Sequence, residues 1–300
     1  MENEVVLVAG GTGLIGQQIV HLFKTNGSEV RVLSRGKSNA SKSIFHWDPD
    51  KKEIDKAALH DVTVIINLVG SGIAEKRWTA SRKKEIIDSR VQPTLFLASL
   101  APEISTLKQY VSASGINCYD TSDSSRIYNE EDAFGTDFLS TVVQQWEKAA
   151  DAFLPYCKVA KVRISMVLAA HGGALETIIQ PMKYGFTSAF GTGKQWMPWI
   201  HINDLARVFE FIVANQLTGS FNATGKVVSN EKFTQVLAAT LGKKKWLPNV
   251  PSFVLKFALG EMSTVVLDGV YASSEKLKNL GFNYAFEELE SALTDLRGRR

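Results

Sequence analysis

The run Gly10-Gly11-Thr12-Gly13-Leu14-Ile15-Gly16 constrains this chain more than any other stretch. It follows an apolar segment, Val5-Val6-Leu7-Val8-Ala9, and opens a helical pattern in Leu14, Ile15, Ile19, Val20 and Phe23. Strand, tight turn and helix are therefore predicted in that order. Glycines let the backbone turn sharply and approach a pyrophosphate closely. The helix start then offers free N–H groups and the positive end of its dipole to the phosphates. A lone glycine turn says little; one placed between a buried-type strand and an amphipathic helix predicts a dinucleotide cradle of Gly10, Gly11, Thr12, Gly13, Leu14, Ile15 and Gly16.

The 300 residues suffice for one large domain or two modest ones, and 45% hydrophobic content can fill a sizeable core. The formal charge is +3, and Arg297, Arg299 and Arg300 account for it. The body is neutral, which argues against a nucleic-acid partner, and the Arg-Gly-Arg-Arg end reads as a solvated tail. Two cysteines, Cys118 and Cys157, make no disulfide framework and point to a reducing compartment. No secretory pattern opens the chain and no apolar run is long enough for a bilayer span. A soluble protein, cytoplasmic or mature organellar, is expected, with no membrane partner, as a monomer or homodimer.

Strands are predicted at Glu29–Ser34, Val62–Leu68, Gln109–Ser114 and Val159–Arg163. The Val62–Leu68 run is nearly all apolar, as in a parallel strand covered on both faces. Helices alternate with them. Phe138, Val142, Trp146, Ala149 and Phe153 share one helical face, and Ser81–Leu100 is helical with a kink or break expected at Pro93. This is the α/β pattern of a doubly wound parallel sheet built from right-handed crossovers. The last third loses the alternation, with a helix over Glu231–Leu241 closed by Gly242 and a further helical run through Phe253–Phe257. The expected division is a Rossmann-type dinucleotide-binding domain over 1–165, with 196–226 returning to it, and a smaller lobe from 166–195 and 227–300.

In such a sheet the end of the second strand selects the cofactor. A carboxylate there bonds the ribose 2′-hydroxyl; an arginine accommodates a 2′-phosphate. Here Ser34-Arg35 stands at that place. Arg35 can pair a phosphate in a bidentate fork and Ser34 can add a hydroxyl, so NADP(H) is predicted. A plain surface arginine is the alternative. Ligands sit beyond the carboxyl ends of the strands, which nominates Asn67-Leu68-Val69-Gly70 and Ser112 as further cofactor contacts. Asp48 stands either near an adenine or in a simple Asx turn before Pro49.

Taken together, these features resemble the extended short-chain dehydrogenase/reductase superfamily, in its atypical branch of nucleoside-diphosphate-sugar epimerase-like proteins. The resemblance spans essentially the whole chain. It is carried by Ala9–Gly16, Trp47-Asp48-Pro49, Arg77-Trp78, Ser89-Arg90-Val91 and Ser112-Ala113-Ser114. Further on it continues through Phe138-Leu139, Trp146-Glu147, Gly172–Leu175, Gln195–His201 and Gly260-Glu261-Met262. It implies an NADP(H)-binding, two-lobed, epimerase-like oxidoreductase acting on a small carbonyl, hydroxyl or nucleotide-sugar substrate.

Ordinary members of that superfamily carry Tyr-x-x-x-Lys on a helix, where the ammonium lowers the phenol pKa from about 10 for proton exchange. None of the seven tyrosines here has a lysine four residues on, and Leu139 and Val143 stand at the two places. Ser114 occupies the family's serine position, either as a substrate or nicotinamide contact or as a strand-end hydroxyl. Tyr119 is the best substitute proton donor, or else a packed loop aromatic. Glu130 reads as a solvated carboxylate. Trp196, Trp199 and His201 could line a substrate cleft; lobe core and a helix cap are the competing roles. No cysteine or second histidine accompanies His201, so no metal site is expected. Without the dyad, two functions stand: an enzyme with a rebuilt proton donor, or an NADP(H)-binding redox sensor or regulator without turnover.

Overall fold

The structure, a computed structural model, describes residues 4–299. The chain begins β1 (Val5–Ala9), α1 (Leu14–Thr25), β2 (Glu29–Ser34), β3 (Ile44–Asp48), β4 (Glu53–Ile54), β5 (Val64–Asn67), α2 (Ala80–Leu100), β6 (Gln109–Gly115), β7 (Ile127–Tyr128), α3 (Phe138–Ala150) and β8 (Lys158–Ile164). It continues β9 (Met166–Leu168), α4 (Gly173–Lys183), β10 (Trp196–Met197), β11 (Trp199–His201), α5 (Ile202–Ala214), β12 (Gly219–Ala223) and β13 (Val228–Ser229). It ends α6 (Asn230–Thr240), α7 (Ser252–Leu259), α8 (Thr264–Leu267), β14 (Tyr271–Ala272), α9 (Glu275–Asn279) and α10 (Leu289–Gly298).

Eight strands form one sheet in the order β12-β8-β6-β5-β1-β2-β3-β4. All neighbours are parallel except the β3–β4 edge. The order reverses at β1, whose Val6 pairs with Val30 of β2 and Val64 of β5. That reversal opens the crevice where a doubly wound sheet binds its ligand. Side chains alternate across the sheet, so the two faces fill from different residues. Val6, Val8 and Val64 pack with Ile19 and Phe23 of α1 and Phe209 and Ile212 of α5. Leu7, Ala9, Ile65 and Tyr110 pack on the other face with Phe96 and Leu97 of α2 and with Phe153. Burying both faces explains why β1 and β5 read as unbroken apolar runs.

A further core forms where Leu175 and Ile179 of α4 meet Phe233 and Leu237 of α6 and Leu293 and Leu296 of α10. Gly242, at φ +70°, closes the α6 end in the left-handed conformation that glycine allows. One expectation needs correction: of the kink or break expected at Pro93, the break does not occur, and helix α2 continues through it. Proline removes one backbone bond, but Pro93 is buried beside Phe96 and Leu97, and packing holds the turn that propensity alone would break. The basic end is solvated as expected: Arg297 and Arg299 are exposed, although Arg297 lies within α10 and donates to the Thr240 carbonyl and Arg299 pairs with Asp295. Arg300 lies outside the described residues.

Candidate functional site

The glycine turn is shaped by contacts that only hydrogen can make. Gly10 sits at φ +81°. A Cβ on Gly16 would lie 2.2 Å from the Gly10 carbonyl oxygen and 2.6 Å from the Gly11 Cα. One on Gly11 would lie 2.9 Å from Val32 Cγ1. The turn closes with the Gly13 N–H donating to the Gly10 carbonyl at 3.1 Å. Helix α1 then starts at Gly13 with no side-chain cap and no acidic residue in its first turn. Its leading N–H groups face the strand ends without a protein anion, which is the donor set that a pyrophosphate satisfies. The residues present thus fit a dinucleotide at this edge.

Arg35 follows β2 directly, is exposed, and has no ion-pair partner among the described residues. The Ser34 hydroxyl accepts from the Gly36 N–H at 3.2 Å, which folds the chain just past the strand. Asp48 is an Asx turn: its Oδ1 accepts from the N–H of Asp50 at 3.1 Å. Leu68, Val69 and Gly70 continue from β5 along the same edge, where a Cβ on Gly10 would touch Leu68 at 3.2 Å.

Asn67 and Ser112 turn their side chains away from the ligand edge, which leaves their backbone as the part that can approach a cofactor there. The buried Asn67 amide donates to Thr94 Oγ1 at 3.0 Å and to the Tyr110 hydroxyl at 2.9 Å, and accepts from the Val69 N–H. The Ser112 hydroxyl is buried and donates to the Ala113 carbonyl. Asn67 thereby ties the end of β5 to α2 and β6, while Ser112 bonds within its own strand. Beneath Gly70 lies a residue the sequence reading left without a role. The buried Arg90 guanidinium donates to the carbonyls of Ile86 at 2.8 Å and Ser71 at 3.0 Å, and sits 5.0 Å over the Trp146 ring. A Cβ on Gly70 would lie 2.9 Å from its Cζ. Burial, helped by the nearby Arg82 charge, pushes its pKa down to about 10. Arg90 makes no ion pair with any described carboxylate, so a positive charge stands under the ligand loop.

At the end of β6 a buried polar network replaces the expected proton donor. Ser114 Oγ donates to Glu147 Oε1 at 2.7 Å. Glu147 takes Arg163 in a two-pronged pair at 2.8 and 3.0 Å. Arg163 also donates to the Tyr119 hydroxyl at 2.9 Å, and that hydroxyl donates to Asn222 Oδ1 at 2.7 Å. Burial alone would lower the Arg163 pKa; the Glu147 carboxylate raises it. Tyr119 is fully enclosed, and burial pushes its phenol up, away from neutral proton exchange. Burial also lifts the neighbouring Cys118 thiol to about 12. Glu130 is buried rather than solvated, its carboxylate accepting from the Asn222 N–H at 2.8 Å. Leu139 and Val143 are buried on α3 as apolar side chains, with Val143 packed against Ile116, Tyr119 and Tyr128. One partial clue stood in the sequence: Glu147 follows Trp146 on a helix face that is buried.

Of the residues offered for a cleft, only Trp196 keeps a partly open position. Its indole N–H donates to the Ser124 carbonyl at 2.7 Å and its ring meets Tyr271 edge-on at 5.0 Å. Trp199 and His201 are fully buried, which removes them from any cleft wall. Trp199 belongs to the lobe core. His201 caps α5: its Nδ1 accepts from the Asn203 N–H, which leaves the proton on Nε2 for Asp295 at 3.2 Å. Burial lowers its pKa in spite of Asp295 and Asp204. The lobe reaches back to the cradle at the start of α4, where a Cβ on Gly173 would lie 3.1 Å from Leu14. Deeper in the lobe, an apolar cavity of about 210 Å³ lies among Ile178, Met182, Phe186, Phe190, Phe233 and Val250, away from the strand ends. Among the described residues no cluster of three metal-ligating side chains occurs, and no helix is long and apolar enough to cross a membrane.

Comparison with known proteins agrees with this geometry. Residues 6–223 match the model of the NAD dependent epimerase/dehydratase family, and residues 250–296 match a domain of unknown function, DUF1731. The chain is 34% identical to the epimerase family protein SH2119 of Staphylococcus haemolyticus, over 97% of this chain and 98% of that protein. It is 33% identical to the epimerase family protein SDR39U1 of Mus musculus, over 97% of this chain and 99% of that protein. The crystal structure of human epimerase family protein SDR39U1 with NADPH superposes with a TM-score of 0.88 at 29% identity, covering 99% of this chain and 100% of that one. A family model spanning most of the chain, and relatives alike from end to end, lead to one conclusion: the chain belongs to the NAD dependent epimerase/dehydratase family, in its epimerase-like, extended short-chain dehydrogenase/reductase branch.

Proposed function

We propose that this protein binds NADP(H) and acts as an oxidoreductase on a small hydroxyl- or carbonyl-bearing substrate. The observation that carries the reading is the pairing of an uncapped α1 N-terminus in a glycine cradle with the unpartnered Arg35 at the end of β2. The first would hold the pyrophosphate and the second the 2′-phosphate. Arg90, a cation beneath Gly70 and Ser71 with no carboxylate of its own, adds positive potential to the same edge. The human relative crystallised with NADPH supports the choice of cofactor.

A bound nicotinamide supplies hydride transfer; this chain's residues supply orientation and proton handling. Ser114 is the group placed for it. Its hydrogen is committed to Glu147, so its remaining lone pairs can accept from a substrate hydroxyl. Arg163 holds Glu147 in place for that task. Tyr119 serves as framework, because both faces of its hydroxyl are already taken. Val143 packs against Gly115, the residue after Ser114. A second reading rests on those same committed hydroxyls: the protein binds NADP(H) as a redox sensor or regulator without turnover. Incubating the protein, saturated with NADPH or NADP⁺, with aldehydes, ketones, quinones, alcohols and nucleotide-sugars separates the two. Substrate-dependent change in nicotinamide absorbance supports the oxidoreductase; saturable binding without any change supports the sensor.

A further inference from the structure

One face of the lobe is built for a partner that the cofactor site does not explain. Five aromatic residues, Tyr184, Phe186, Trp246, Phe253 and Phe257, are each between 61% and 87% exposed. They stand on segments that run together. The Trp246 N–H donates to the Gly185 carbonyl, Thr187 Oγ1 to the Lys244 carbonyl, and the Val250 N–H to the Ala189 carbonyl. Helix α7 follows directly after Pro251. None of its side chains is buried, and Phe253, Val254 and Phe257, the last one turn beyond the first two, are all exposed. With its N–H engaged inward, Trp246 presents only apolar ring to solvent.

The two segments that carry these aromatics hold positive charge only, with Glu231 and Asp268 the nearby carboxylates. Residues 183–194 and 243–260 hold six lysines and no carboxylate. Lys245 is taken by Glu231 at 3.0 Å, and the Lys243 ammonium donates to the Lys183 carbonyl. Lys244 and Lys256 are exposed and make no ion pair with any described carboxylate. Exposed aromatics interleaved with free lysines match an anionic interface whose apolar layer lies just below its charges. A second copy of the chain matches poorly, since a two-fold contact would set lysine against lysine.

We propose that this face docks the protein peripherally on an anionic lipid bilayer. The aromatics of α7 and its neighbours would enter the headgroup boundary while Lys244 and Lys256 meet lipid phosphates. This is surface attachment, consistent with the lack of a spanning helix among the described residues.

The test is flotation of the whole protein with vesicles of phosphatidylcholine alone and of phosphatidylcholine mixed with phosphatidylglycerol. The protein is expected to float with the mixed vesicles only, and less so at high salt. Phe253→Ser with Phe257→Ser should abolish flotation. Lys244→Gln with Lys256→Gln should lower partitioning by about thirty-fold. Because all four side chains are exposed, NADPH affinity and circular dichroism should match wild type in every variant. Absence of flotation with mixed vesicles overturns the proposal, as does flotation that neither pair of substitutions changes. Self-association lost in Phe253→Ser/Phe257→Ser without vesicle binding would assign the face to a second copy, and retention on immobilised polyglutamate without vesicle binding would assign it to an acidic protein.

Discussion

Replacing Tyr119 by phenylalanine separates framework from catalysis. The ring would keep its packing against Tyr128, 5.1 Å away, and would lose only the hydroxyl. Two buried hydrogen bonds would go with it: the one donated to Asn222 at 2.7 Å and the one accepted from Arg163 at 2.9 Å. Water has no ready route to replace them, since Tyr119 and Asn222 are fully buried and Arg163 is 3% exposed. Asn222 would lose the only bond its side-chain oxygen makes among the described residues, while Arg163 would keep Glu147 and the Glu130 carbonyl. Leaving one buried acceptor unpaired and weakening one charged donor costs about 2–4 kcal/mol in total. In a chain of this size that lowers Tm by about 3–6 °C. The assay is thermal unfolding beside NADPH titration and turnover of any substrate the panel reveals. The predicted result is a lower Tm with NADPH affinity and rate near wild type. An unchanged Tm with a rate reduced about a hundred-fold or more would make Tyr119 the proton donor and refute the reasoning.

Gly16→Ala would force a Cβ to 2.2 Å from the Gly10 oxygen, and because the neighbour is backbone, the loop must move. Overpacking of this kind costs about 3 kcal/mol or more, so a lower Tm and loss of saturable NADPH binding are expected by fluorescence titration. Glu147→Gln would leave Arg163 buried without its counter-charge, which costs about 3–5 kcal/mol in chemical denaturation; stability equal to wild type would mean the pair is not buried in solution. His201 has a folded-state pKa below its ordinary 6.5, so unfolded chains bind the proton more readily. Its contribution is therefore intact above about pH 6.5 and is lost as pH falls below that value. His201→Asn, which can still cap α5, should flatten this part of the stability profile measured by urea unfolding.

The sequence told most about elements whose local chemistry and tertiary role agree. The glycine turn, β1, β2, β5 and β6 fall where apolar runs and glycine spacing place them, because a strand buried on both faces has no other pattern to adopt. Pro93 misled for the opposite reason: local propensity says break, and the packing of α2 decides otherwise. At the site, the place of Arg35 at the end of β2, exposed beside the glycine cradle, was legible because the strand and turn that position it are local features. The Ser114–Glu147–Arg163 chain was not, since its members lie far apart in sequence and meet only when β6, α3 and β8 assemble. Tyr119 and His201 looked available because sequence reveals polar chemistry but not enclosure. Glu130 looked solvated for the same reason, although it caps the backbone of β12.

The central claim is that this chain recognises the 2′-phosphate of NADP(H) through Arg35. The direct measurement is the Kd for NADPH and for NADH, by calorimetric titration, in wild type and in Arg35→Ala. One exposed charge-assisted pair to phosphate contributes about 1.5–3 kcal/mol. Wild type should therefore prefer NADPH by at least about tenfold. Arg35→Ala should lose most of that preference while its NADH affinity stays unchanged. Equal losses for both cofactors, or a variant that still prefers NADPH as strongly as wild type, would contradict the assignment.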